Sequence, residues 1–286
     1  MRSYMSKNTG VITHIVDTNH TDLHALDRAF YLAKHKHIPL HLHGMCYGYS
    51  EKSGDCGDEQ LLLYSKLSDI RLTAERQGIT TTTSSSFGNL WERSFLSILK
   101  YQDHPTVVTS YPDRHLWNKW LPSKVINRFI FDFPCNVIMV KDNEHWSSHK
   151  ALILLGPELA DHVREELKDN SNVRHKDLGI MNTLAQAAPC GKQLKSMGLE
   201  AYYVCIFNEP HVVSYSDQLQ YINANNDSHI IFRWGLPEQV VPPLIEALKI
   251  DLLVVEIGKA KAMGQQEGRY IHQLGQLVEC DVMAAH

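Results

Sequence analysis

The chain has no glycine between Gly88 and Gly156, no Cys-x-x-Cys pair, no basic block and no long apolar run. Each absence excludes something. Without glycine, the stretch from 89 to 155 cannot build a phosphate loop that depends on close backbone approach. The cysteines at 46, 56, 135, 190, 205 and 280 are scattered, which predicts buried thiols and neither a zinc ribbon nor a dithiol redox motif. Apolar runs such as "LLVVEI" are far too short to cross a bilayer. The lack of lysine and arginine clusters excludes nucleic acid as the main partner. The opening "MRSYMSKNTG" has no apolar run behind it, so neither a signal peptide nor an anchor is expected, and the expected location is cytoplasmic.

What is present fills a globular protein. The 286 residues are 43% hydrophobic and 21% charged, with a formal charge of −4, enough for two ordinary domains. Histidine is abundant, at 17 residues, so net charge should rise steeply on mild acidification.

The chain repeats itself at an offset near 145. "FPCNVIMVK" (133–141) answers "VECDVMAAH" (278–286), and "HPTVVTS" (104–110) answers "IDLLVVE" (250–256). A helical pattern precedes each of the latter pair. "NLWERSFLSILK" places Trp91, Phe95, Ile98 and Leu99 on one face. "PEQVVPPLIEALK" places Val240, Val241, Leu244, Ile245 and Leu248 likewise, with Pro237 suited to a first turn. Upstream lie "GVITHIVD", "DLHALDRAFYLAKHK", "PLHLHG" and "ITTTTSSSF" in one half. The other half has "KALILLG", "NTLAQAAPCGKQLKSMG", "LEAYYVCIF" and "SHIIFRW", plus an inserted "PELADHVREELKD" that reads as an extra helix. Strand and helix alternate throughout, which predicts α/β domains with parallel sheets and helices on both faces. The boundary falls in the polar "KDNEHWSSH", giving domains 1–145 and 146–286.

The order, spacing and duplication of "ITHIVD", "LPSKVINRFIFDFPCNVIMVK", "WGLPEQVVPPLIEALKIDLLVVEIG" and "CDVMAAH" resemble a tandem universal stress protein. The two-domain E-type of Gram-negative bacteria is the nearest pattern. The resemblance covers nearly the whole chain. It implies two Rossmann-like, adenine-nucleotide α-hydrolase-like domains with five strands each. It also implies a pseudo-twofold relation in which the final strands "NVIMV" and "DVMAA" pair. Many members bind ATP through G-x2-G-x9-G followed by Ser or Thr. In the second half Gly258 and Gly268 keep the nine-residue spacing, but Val255 stands at the first glycine and Arg269 at the hydroxyl. The first half has no such glycines. It does keep Asp17 at the end of its first strand, where the family places an acid near adenine and ribose.

The sequence also offers "HKHIPLHLHG" (35–44). His41 and His43 share one face of a strand, and a His-x-His pair is half a zinc shell that His14 or Cys46 would complete. The alternative is neutral histidines bonded to neighbours inside the sheet, with His35 and His37 at a helix end. The hydroxyls of "TTTTSSS" have no placed base, "GDCGDE" (54–59) reads as a loop, and Asp113, Arg114 and His115 read as a solvated or capping cluster. The tryptophans read as core and inter-domain packing. The functional expectation is a stress-response binding or regulatory protein that is not an enzyme of strong turnover. Its protein partners are unnamed, and a homodimer is an open alternative. Two other readings stay open: a weak ATP-binding or ATP-hydrolysing protein, or one binding another phosphate-bearing ligand, through the second half; and a histidine-based zinc binder.

Overall fold

The computed structural model describes residues 10–17, 23–46, 56–87, 105–110, 135–141, 146–155, 190–207, 229–256, 271 and 273–285. The chain divides into two compact units, Met1–His145 and Trp146–His286.

Unit 1 runs β1 (Ile12–Asp17), α1 (Leu23–Lys36), β2 (Leu40–Cys46), α2 (Cys56–Arg76), β3 (Thr81–Phe87), β4 (Thr106–Ser110) and β5 (Asn136–Val140). Its strands lie in the order β3-β2-β1-β4-β5, and each of these pairings is parallel. The sequence explains the elements. Ala25, Leu26, Ala29, Leu32 and Ala33 form the buried stripe of α1, at helical spacing. On β2, Leu40 and Leu42 point to the face that α2 covers. Gly44 shares that face, and a methyl group there would come within 2.8 Å of Leu67 and 3.0 Å of Leu63. The glycine is what lets α2 sit so close to the strand.

Unit 2 runs β6 (Lys150–Leu154), α3 (Cys190–Ser196), β7 (Glu200–Phe207), β8 (His229–Trp234), α4 (Pro237–Leu248), β9 (Leu252–Glu256) and β10 (Asp281–Ala285). The order β10-β9-β6-β7-β8 is that of unit 1, again with parallel pairings. Ala151 to Leu154, Leu252 to Val255 and Asp281 to Ala285 are buried without alternation, as expected of parallel strands covered on both faces. Pro237 opens α4, where its missing N–H costs nothing, and Val241, Leu244 and Ile245 form its buried stripe.

Helices α1 to α4 end alike. The amide of the second residue past each last turn bonds back five residues, from Ile38 to Ala33, Ile79 to Ala74, Leu199 to Leu194 and Ile250 to Ile245. The left-handed residue this motif needs is Gly78 and Gly198 in two helices, but His37 (φ 52°) and Lys249 (φ 55°) in the others.

One expectation needs correction. "GDCGDE" is not wholly a loop: α2 begins at Cys56, and Asp58 and Glu59 occupy its first turn, where acids suit the helix dipole. Asp251 accepts the amide N–H groups of Ser147, Ser148 and Lys150 at 3.0–3.1 Å, and buried Trp146 donates its indole N–H to Asp281 at 2.8 Å. Residues 146–150 are therefore tied to unit 2. The helical patterns at 89–100 and 157–169, Trp91, Trp117 and Trp120 lie outside the described residues.

Candidate functional site

In each unit the strand order reverses beside the first strand. β1 lies between β2 and β4, and β6 between β7 and β9. Open α/β sheets bind ligands outside the carboxyl ends of their strands at such reversals. In unit 1 that edge is formed by the ends of β1 and β4, at Asp17 and Ser110. In unit 2 it is formed by Leu155, just past β6, and Glu256, the last residue of β9.

A compact polar cluster surrounds Glu256. The Cys190 thiol, from the start of α3, donates to Glu256 Oε1 at 3.0 Å. The Tyr203 hydroxyl, from β7, lies against Gly191, where any methyl group would fall on it. Burial raises the Glu256 carboxyl above the usual range. Burial pushes the Cys190 thiol up as well, and the neighbouring Glu256 adds to this. Tyr203 is pushed up to about 12 by burial, then by Cys190 and Glu256. The thiol and phenol are thus neutral at physiological pH. A thiol held in that form is neither a nucleophile nor a metal ligand. These three groups supply no positive charge to hold a phosphate.

The histidine stretch forms a second cluster, in unit 1. The register sets His41 beside Thr82 and His43 beside Ser84. His41 Nδ1 meets Thr82 Oγ1 at 2.9 Å and Nε2 meets Ser84 Oγ at 2.8 Å. His43 Nδ1 meets the same Ser84 Oγ at 2.7 Å, and Nε2 meets Ser86 Oγ at 2.9 Å. All four ring nitrogens thus face hydroxyls. Burial lowers the pKa of His41, and burial with the neighbouring His41 lowers that of His43 to about 4. The hydroxyls of "TTTTSSS" therefore do have imidazoles beside them, contrary to the sequence expectation. Yet His43 is 0% exposed and weakly basic, so it is a poor general base for any substrate.

The proposed completion of a zinc shell fails on geometry. His14 pairs with Leu42 in the register, and Cys46 lies three residues beyond His43 on β2. Side chains alternate along a strand, so both point to the face opposite His41 and His43. There His14 Nδ1 bonds the Val108 carbonyl at 3.0 Å and Cys46 donates to Glu59 at 3.1 Å. Among the described residues no group of three histidine, cysteine or acidic side chains gathers in a metal-binding arrangement.

A groove of about 250 Å³ lies between α2 and β3, lined by Tyr64, Leu67, Ser68, Arg71 and Thr83 to Ser85. Arg71 is engaged with Glu75 at 2.7 Å, so the groove has no uncommitted arginine to offer.

Gly258, Gly268, Arg269 and the Asp113–His115 cluster lie outside the described residues, as does the side chain of Asp17. Val255 is buried inside β9. Sequence reasoning missed the Cys190–Glu256–Tyr203 cluster because its members are 13 and 53 residues apart and meet only in the fold. The hydroxyl partners of the histidines were visible as the continuous run Thr80 to Ser86, but their register was not.

No family model matches this chain, and no curated protein matches it. Solved structures do. A crystal structure assigned as a universal stress protein, from Pseudomonas aeruginosa UCBPP-PA14, superposes with a TM-score of 0.64 at 15% identity, covering 97% of this chain and 93% of its own. A universal stress protein from Archaeoglobus fulgidus DSM 4304 gives 0.56 at 12% identity, covering 96% of this chain and 97% of its own. The cytoplasmic domain of a prokaryotic cation chloride cotransporter gives 0.55 at 9% identity, covering 96% of this chain and 94% of its own. No helix among the described residues is long and apolar enough to cross a membrane. At these identities the likeness is one of fold: this chain has the architecture found in universal stress proteins, over nearly its full length.

Proposed function

We propose that the chain is a stress-response binding or regulatory protein of the tandem universal stress type, acting in the cytoplasm without strong turnover. Full-length likeness in fold to two universal stress proteins supports the class. The observation that carries the non-catalytic part is the part-buried Cys190–Glu256 pair at the strand reversal of unit 2. A carboxyl group there opposes an approaching phosphate if ionised and offers it no cation if neutral.

A second reading is weak nucleotide binding or hydrolysis through unit 2. It is favoured by one observation: residues 257–270, which include Gly258, Gly268 and Arg269, directly follow the carboxyl end of β9 at the reversal. The two readings separate in a melting experiment on the full chain with ATP–Mg²⁺, ADP and inorganic phosphate. A site filled at a hundredfold excess over Kd stabilises by about 2.7 kcal/mol. The first reading expects no shift with any of the three. A shift with ATP–Mg²⁺ that Arg269→Ala abolishes would replace it with the second. Native mass spectrometry of the purified protein reports oligomeric state and any retained ligand.

A further inference from the structure

The histidine pair sits at the centre of one continuous hydrogen-bonded chain. Along β3 toward its carboxyl end the groups run Thr82, His41, Ser84, His43, Ser86, joined by contacts of 2.9, 2.8, 2.7 and 2.9 Å. The parallel register builds this ladder. Each imidazole of β2 fits between two hydroxyls of β3 that are two residues apart and so share one face. The two rings lie side by side, with centroids 6.4 Å apart and planes 27° from parallel.

A neutral imidazole has one N–H and one bare nitrogen, and a hydroxyl has one hydrogen. Ser84 faces a ring nitrogen on each side: Nε2 of His41 and Nδ1 of His43. If both nitrogens were bare, one hydrogen would have to serve two acceptors. If both were protonated, two donors would crowd one oxygen and the serine hydrogen would point out of the chain. Both short contacts are satisfied as a through-going chain only when one nitrogen carries a proton and the other does not. With His41 protonated on Nε2, His43 must then be protonated on Nε2 also. With His41 protonated on Nδ1, so is His43.

We propose that Ser84 locks His41 and His43 into the same tautomer, so that the five groups form one polarised relay along unit 1. Hydrogen bonds in such a chain polarise one another. The relay spans about 13 Å, from four residues of strand at roughly 3.3 Å each. Its ends differ: Thr82 is exposed, while Ser86 is buried near the carboxyl end of the sheet. A donor or acceptor presented to Ser86 would therefore set the hydrogen-bond state at Thr82 without any backbone movement.

The test is ¹⁵N-histidine labelling of the full chain, with long-range ¹H–¹⁵N spectra above pH 7, where protonated and bare ring nitrogens are distinguished directly. The expected result is the same tautomer at His41 and His43, or two states in which both rings change together. Opposite tautomers in the wild-type protein would overturn the relay. Ser86→Ala removes one terminal hydroxyl with little change in volume. It should shift the tautomer balance of His41, which Ser86 does not touch, as well as that of His43. A response confined to His43 would also overturn the relay. Ser84→Thr should keep the coupling, and Ser84→Ala should lose it.

Discussion

The two units have the same strand order but bury polar groups of opposite electrical character. Unit 1 hides two bases, His41 and His43, among hydroxyls. Unit 2 gathers three acids, half-buried Glu256 with buried Cys190 and Tyr203. Burial favours the neutral form in both cases, so it lowers the pKa of the bases and raises that of the acids. One fold thus produces opposite responses to pH, decided by which side chains the strands carry.

The harshest way to break the comparison is to introduce a charge that neither unit can hold. Val137 lies in β5 beside Val107 and is fully buried. Val137→Asp should cost about 4 kcal/mol or more, because the carboxylate loses its water and gains no partner. Hydrogen exchange followed by peptide mass spectrometry should show lost protection across β1 to β5. Unchanged protection would mean that β5 is not part of the unit 1 core.

Acidification should separate the units next. The unfolded chain takes up a proton at His43 near pH 6.5, whereas the folded protein resists until about 4. The stability of unit 1 is therefore full above pH 6.5 and falls as pH drops toward 4. Two and a half pH units at 1.36 kcal/mol each make the loss about 3 kcal/mol. His43→Gln should flatten that slope, as read by protection of β2 and β3 at pH 7 and pH 4.5. Glu256 should act in the other sense. Its folded pKa is raised, so its contribution is most favourable at low pH and is lost as pH rises through the folded value. Glu256→Gln keeps an acceptor for Cys190 and should stabilise unit 2 at pH 8 with no gain at pH 4. Equal effects at both pH values would show that the carboxyl is not neutralised by its surroundings.

A steric change sharpens the picture of unit 2. Gly191→Ala places a methyl group on the Tyr203 hydroxyl and must displace the ring or the start of α3. Overpacking of this kind costs about 1–3 kcal/mol. Denaturant melts should show the loss, and Tyr203→Phe in the same background should recover part of it. If the double variant is no better, the phenol is not what the methyl meets.

The smallest effect concerns backbone strain. His37 and Lys249 end their helices in the left-handed conformation that Gly78 and Gly198 adopt elsewhere. Lys249→Gly should stabilise by a few tenths to about 1 kcal/mol, as relief of the left-handed strain exceeds the added chain entropy. A destabilised variant would imply that the lysine side chain contributes more than its backbone costs.

Several features were legible in the sequence because they depend on neighbours along the chain. The α/β alternation, Pro237 at a helix start and the pairing of His41 with His43 on one face all follow from local periodicity. The boundary at 145/146 could be read from polarity, but the docking of 146–150 onto Asp251 could not, because the partner lies about a hundred residues away. Likewise, the sequence supplied the histidines and the hydroxyls of β3. Only strand register decided that Thr82, Ser84 and Ser86 would face the ring nitrogens, and that His14 and Cys46 would point to the opposite face. Register is a property of two strands brought together, since a slip of one residue turns every side chain over. The Cys190–Glu256–Tyr203 cluster is more dependent still. It exists because the strand order reverses between β9 and β6, a choice made by packing and crossover handedness and not by any local pattern.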